Sequence, residues 1–282
     1  MKDPKFEIDR LETYSLSLFI GVKDFQILVA DKESSRVLLL EDYAFDPAID
    51  DEERYNTLRF IFEDHHLLTA NFWMSIRIFL KNRQFSLVPE EFFEESMSAT
   101  YLSINAPFDS SQDSLMLNFH EGFGLVNIFS VPTRITNMMS EIYPGRKIRY
   151  IHQCSCLIDG SYLKKGAAGK NFTVYIDRFG MHIILLEDGQ LLFYNQYVIK
   201  QFGEYMKYIQ LVAGEFEFDF ANDPINLYGY LGKNTPHFAE LKKSIHNLTM
   251  GSRPERLKYG YVFDEISDHQ YFDVFSAEHT LV

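Results

Sequence analysis

Apolar and polar residues alternate with a period of two along residues 15–45, "SLSLFIGVKDFQILVADKESSRVLLLEDYAF". Leu16, Leu18 and Ile20 fall on one side of an extended chain, and Phe25, Ile27 and Val29 resume the rhythm after the "VKD" turn. A polar "DKESS" turn then leads into the apolar run at 37–40. Successive strand residues point to opposite faces, so the pattern predicts a three-stranded meander with strands near 15–21, 25–31 and 36–43. The period then changes. "DDEERYNTLRFIFEDHHLL" opens with carboxylates, which suit the positive end of a helix dipole, and spaces Tyr55, Leu58, Ile61 and Phe62 three and four apart. A helix is predicted there. "FWMSIRIFL" at 72–80 reads as a strand, and "SLVPEEFFEESM" as a short strand with Pro89 opening a helix. "LMLNFHEGFGLVNIFSV" reads as a hairpin, followed by the helix "PTRITNMMSEIY", the strand "KIRYI" and the helix "CLIDGSYLKK".

The meander returns in residues 171–198, "NFTVYIDRFGMHIILLEDGQLLFYNQYV", with strands at 171–177, 181–187 and 190–197 and "EDG" as the second hairpin turn. "IKQFGEYMKYIQLVAGEF" follows as a helix with Phe202, Tyr205, Ile209 and Val212 on one face. "PINLYGYLG" at 224–232 is the next strand, and "TPHFAELKKSIHNL" a helix with Thr235 as N-cap and Pro236 at its first position. Strand, strand, strand, helix, strand, helix thus occurs twice, about 155 residues apart, aligning Ile20 with Ile176, Gly21 with Asp177 and Phe25 with Met181. A period this long predicts two related domains, at 1–168 and 169–282, linked by the glycine- and lysine-rich "KKGAAGK".

With 282 residues, 46% of them hydrophobic, the chain can build two cores. Its net charge of −13 repels phosphate backbones and anionic membranes, and the densest basic runs, at 145–150 and 163–170, form no arginine-rich stripe. The expectation is no nucleic acid partner. No window approaches the roughly 18 uninterrupted apolar residues of a membrane span, and the first residues lack a signal-peptide core, so no membrane insertion and a cytoplasmic location are expected. Cys154 and Cys156 would share a face on a strand and lie about 200° apart on a helix. His152 is the nearest further ligand type, so the pair reads as buried, reduced thiols rather than a metal site.

The duplicated βββαβα unit resembles the actin-like ATPase fold, in which two ribonuclease-H-like domains enclose a nucleotide cleft. "LVPEEFF" at 87–93 resembles an uncharacterised bacterial family with this fold, and the resemblance spans roughly residues 14–280. It implies an α/β protein of two βββαβα domains with a subdomain inserted at about 84–130, where bacterial pilus-assembly and cell-division members carry theirs. It also implies where a nucleotide would bind. Each domain of an active member supplies a phosphate loop, an aspartate followed by small residues, so that backbone N–H groups reach the phosphates and Mg²⁺ sits near the carboxylate. An adenosine loop supplies a glycine pair before a helix.

The first turn here, "IGVKDFQ", has Gly21 in place of the aspartate, with Asp24 three residues on. The second, "IDRFGMH", keeps Asp177 and Gly180, but Arg178 and Phe179 stand where small residues are needed. "LYGYLGKNTPHF" puts Gly229 and Gly232 at the adenosine-loop position, separated by Tyr230 and Leu231, with Lys233 and Thr235 able to meet an anion at the helix N-terminus. Gly21, Asp24, Asp177, Gly180, Gly229, Gly232 and Thr235 are therefore the candidate cleft, and it reads as vestigial. Other constellations are weaker. His65 and His66 face apart on a helix instead of standing four residues apart, and Glu90, Glu91, Glu94 and Glu95 form a solvated acidic helix face. No G-x-S-x-G, Walker-type or G-x-G-x-x-G element occurs. The expected function is a non-catalytic protein, without cofactor or catalytic or metal-binding residues, that holds a protein partner. The alternative is a divergent ATPase or sugar-kinase-like enzyme in which Asp177 carries hydrated Mg²⁺ and the loop 229–232 holds the adenine of ATP. A sensor that binds a small molecule without turnover is a third reading.

Overall fold

The computed structural model describes residues 1–165 and 169–280, which divide into two units: 1–155 with 256–263, and 156–255 with 264–280. In the first unit β1 (Tyr14–Gly21) pairs antiparallel with β2 (Asp24–Asp31), and β2 with β3 (Arg36–Ala44). Both β1 and β2 are buried at every position, so even the polar side of the alternation is hidden. Helix α1 (Asp51–Asp64) starts on a capping box: Asp50 accepts the N–H groups of Glu52 and Glu53, and the Glu53 side chain accepts that of Asp50. It lays Leu58 and Phe62 on the sheet, with the Phe62 ring 5.4 Å from Phe25. β4 (Ser75–Lys81) then runs parallel to β1.

Here the chain leaves the main sheet. β5 (Phe85–Pro89), α2 (Ser98–Asn105), β6 (Asp113–His120) and β7 (Leu125–Pro132) build an antiparallel sheet in the order β5-β7-β6, with its own core of Val88, Leu102, Ala106, Val126 and Ile128. α3 (Thr133–Ile142) returns Ile135, Met138 and Met139 to the first core, and β8 (Ile148–His152) pairs parallel with β4. The main sheet reads β3-β2-β1-β4-β8. Helix α4 (Gln153–Lys165) follows.

In the second unit β9 (Lys170–Ile176), β10 (Met181–Glu187) and β11 (Gln190–Tyr197) form the second meander. Asp188 and Gly189, at φ 47° and 80°, supply the two positive φ angles that the tightest hairpin turn needs. α5 (Gly203–Glu215) buries Ile209, Val212 and Ala213; β12 (Ile225–Gly229) runs parallel to β9; α6 (Pro236–Ser244) is capped by Thr235; β13 (Leu248–Met250) pairs with β12; and α7 (Phe272–Ser276) is buried throughout. The order β11-β10-β9-β12-β13 repeats that of the first unit strand for strand. Three antiparallel strands followed by two parallel ones, twice, is a duplicated ribonuclease-H-like fold.

Several local expectations are corrected. Pro89 closes β5 instead of opening an α-helix: the Glu90 N–H is taken by Gly124 O at 2.8 Å, and single 3₁₀ turns at 90–92 and 95–97 precede α2. Glu90, Glu91, Glu94 and Glu95 are exposed but share no helix face. α1 ends at Asp64, so His65 and His66 do not face apart on a helix; their rings stack at 5.5 Å, and His65 Nε2 lies 3.0 Å from Glu41 Oε2. The strand predicted at 72–80 begins at Ser75, the one at 224–232 ends at Gly229, and β13 and α7 carried no sequence signal. Cys154 and Cys156 are buried free thiols on α4. Among the described residues no His, Cys, Asp and Glu group could hold a metal ion, and no helix is long and apolar enough to cross a membrane. Residues 166–168 of the predicted link lie outside the described residues.

Candidate functional site

In the first unit the turn joins Gly21, which ends β1, to Asp24, which starts β2. A Cβ on Gly21 would lie 2.3 Å from Asp24 Oδ1, so the glycine makes room for the carboxylate. That carboxylate points to Lys81, whose Nζ lies 2.9 Å from Asp24 Oδ2 and 3.2 Å from Gln26 Oε1. The parallel register of β1 and β4 sets Lys81 opposite Gly21, which is why a lysine so far along the chain reaches this turn. The two side chains are 2% and 3% exposed. Separating such a pair leaves an uncompensated buried charge, so Asp24 is committed to Lys81.

The second unit holds the equivalent turn differently. Asp177 Oδ1 accepts the N–H of Phe179 at 2.7 Å and of Gly180 at 2.6 Å, while the Asp177 N–H donates to Gly180 O at 3.0 Å. Oδ2 lies 3.2 Å from His182 Nε2, and His182 Nδ1 lies 2.8 Å from the Tyr194 hydroxyl. The side chains of Asp177 and His182 are fully buried. The N–H groups that would meet a phosphate here are aimed at the turn's own carboxylate. Arg178 lies 4.4 Å over the ring of Tyr230, which meets Tyr271 edge-on at 5.8 Å. Behind the turn, the Tyr175 hydroxyl and Asp273 Oδ1 are 2.5 Å apart; burial first, then the Asp273 carboxylate, holds the Tyr175 phenol well above its ordinary pKa.

Gly229 ends β12 beside Ile176 at φ 99°, and a Cβ there would fall 1.9 Å from Ile176 O. Only glycine fits. Its N–H donates to His269 O and the Tyr230 N–H to Ile176 O, both at 2.8 Å. Gly232 O accepts the Thr235 hydroxyl at 2.7 Å and the Thr235 N–H at 3.1 Å, and Thr235 Oγ1 accepts the Phe238 N–H at 3.2 Å. The Thr235 hydroxyl therefore closes its own loop and helix.

The structure gathers Asp177, Gly180 and Gly229 around the end of β9, sets Gly232 and Thr235 in the loop that follows β12, and pairs Gly21 with Asp24 in the first unit. Sequence reasoning missed Lys81, His182, Tyr194, Tyr175 and Asp273. A lone lysine closing the apolar "IRIFLK", a histidine inside "MHIILL" and an aspartate inside "YFDVFS" were the available signals, since a polar group within an apolar run needs a partner. Both carboxylates and the second turn's donors are thus engaged within the chain.

Residues 3–248 match the family described as "Protein of unknown function (DUF3822)", and the chain belongs to it. No curated protein matches the chain. Among solved structures, the chain is similar to a Bacteroides thetaiotaomicron protein with an actin-like ATPase fold and unknown function: 19% identity, TM-score 0.80, 97% of this chain and 98% of that one. It is also similar to a chain of the PilM–PilN type IV pilus biogenesis complex, at 11% identity and TM-score 0.59, covering 94% of this chain and 97% of that one. At these identities the likeness shows the fold, which is the actin-like ATPase fold.

Proposed function

We propose that this member of the DUF3822 family is a non-catalytic protein that acts by holding a protein partner, and that its turns at 21–24 and 177–180 serve as structure and hold no nucleotide. The observation that carries this reading is the use of the Phe179 and Gly180 N–H groups by Asp177 Oδ1. Binding Mg²⁺–ATP would require those donors to turn away and Asp24 to leave Lys81. Each charge-assisted hydrogen bond forfeited weakens binding by about 1.5–3 kcal/mol, so two or three carry a micromolar affinity to the millimolar range. The PilM–PilN complex supports partner holding as a use of this fold. The net charge of −13 argues against nucleic acid as the partner, and two free thiols suit a reducing cytoplasm.

Calorimetric titration with Mg²⁺–ATP tests the reading. The expected result is no binding tighter than about 10 μM. A dissociation constant below that, lost in Asp177→Ala while the variant keeps its circular dichroism, would overturn it in favour of a divergent ATPase or sugar-kinase-like enzyme.

A further inference from the structure

Residues 84–130 carry seven carboxylates and neither lysine nor arginine, so this stretch supplies −7 of the chain's −13. It is the stretch that builds the β5-β7-β6 sheet. Alternation along β6 turns Met116 to the first core and Leu115 and Leu117 to the small core under α2. The second face ends in Phe119, which is 45% exposed. Phe93 meets Phe119 edge-on at 5.8 Å, and Phe92 beside it is 67% exposed. The Tyr101 hydroxyl donates to Phe92 O at 2.7 Å and the Glu90 N–H to Gly124 O at 2.8 Å, which pins these rings beside the β6–β7 turn. Glu90, Glu91, Glu94, Glu95 and Glu121 flank them along the chain, all exposed, and none has an ion-pair partner among the described residues.

Exposed aromatic rings within a polar rim mark interaction surfaces, and buried aromatic anchors dominate binding energy. The charge flanking these rings has one sign. An anionic partner is repelled, whereas a cationic one is steered in and gains charge pairs that the subdomain itself cannot form. We propose that the inserted subdomain is the partner-holding surface and that its partner is a basic amphipathic peptide segment, whose apolar side chains seat on Phe92, Phe93 and Phe119 while its lysines or arginines face the flanking glutamates. This rests on the partner-holding reading above.

Fluorescence anisotropy with the full chain tests it, the probe being a labelled leucine–lysine amphipathic helix of about five turns. The comparison peptides are a leucine–glutamate version and a lysine–serine version of equal charge. The leucine–lysine peptide is expected to bind at least about tenfold tighter than either. The paired substitutions Phe92→Ser and Phe119→Ser, which remove an exposed ring and the partner of Phe93, should weaken it about tenfold while the far-ultraviolet dichroism stays that of the parent. Glu91→Lys, Glu94→Lys and Glu95→Lys together should do the same and flatten the salt dependence. The equal charge change at Glu12, Glu141 and Glu215, elsewhere on the surface, should not. Equal weakening from that remote set, indifference to the loss of the rings, or equal binding of the lysine–serine peptide would each overturn the proposal. Its failure is distinguishable from that of the underlying reading, which falls only to tight, Asp177-dependent binding of Mg²⁺–ATP.

Discussion

The turns at 21–24 and 177–180 occupy the same place in two sheets of the same strand order, and each is held by an aspartate, but by opposite means. In the first unit Asp24 relies on Lys81, a cation delivered by β4 from far along the chain. In the second, Asp177 relies on two N–H groups of its own turn and on His182, five residues on. The outer edges of the two sheets differ in the same spirit. On β3, Leu38 O accepts the Asp3 N–H and the Leu40 N–H donates to Met1 O, so the N-terminal residues cover the edge; β11 stands at the end of its sheet beside β10. The first unit is thus completed by remote segments, and its turn depends on an interaction that one substitution can leave half-made. The turn of the second is held locally, and it should survive changes that keep a hydrogen-bond acceptor at Asp177.

That contrast is measurable because the chain's single tryptophan, Trp73, is buried in the first unit. Its fluorescence follows the first unit, while far-ultraviolet circular dichroism follows both. The largest effect is expected from Lys81→Met, which strands the Asp24 carboxylate in the interior and should cost about 3–5 kcal/mol in the fluorescence-detected urea transition. Adding Asp24→Leu should recover most of the loss; a double variant as unstable as the single one would show that the pair is not what holds the turn. Next comes Gly229→Ala in the second unit. The left-handed backbone alone costs about 1–3 kcal/mol, and overlap with Ile176 O adds to it. The dichroism transition should move while the Trp73 transition stays. Gly232→Ala, with 3.6 Å to the nearest neighbour, should stay within about 0.5 kcal/mol of the parent. Asp177→Ala should cost about 2 kcal/mol by leaving two N–H groups without their acceptor, and Asp177→Asn less than about 1 kcal/mol, since an amide oxygen still accepts them. Equal losses in the two variants would move the weight from the turn to His182. A smaller effect than that of Asp177→Ala, about 1 kcal/mol, is expected from Thr235→Ala at the start of α6, with Thr235→Ser close to the parent; chemical denaturation followed by dichroism resolves the difference.

What the sequence determined by itself is what neighbouring residues decide among themselves. Alternation set the two meanders, Asp188 and Gly189 set a hairpin turn that requires positive φ, and Thr235 with Pro236 set the start of α6. These depend on interactions across a few residues, where chain connectivity does most of the ordering. Only the tertiary structure decided the rest. Lys81 meets Asp24 because β4 lies parallel to β1 in one register. Pro89 ends a strand because Glu90 finds an acceptor at Gly124, on a hairpin turn that the chain reaches only later. The buried Tyr175–Asp273 pair forms because α7 packs behind β9. In each case a polar group leaves water only when a partner from a distant segment is already in place. The identity of that partner is a property of the packed chain, and no local pattern carries it.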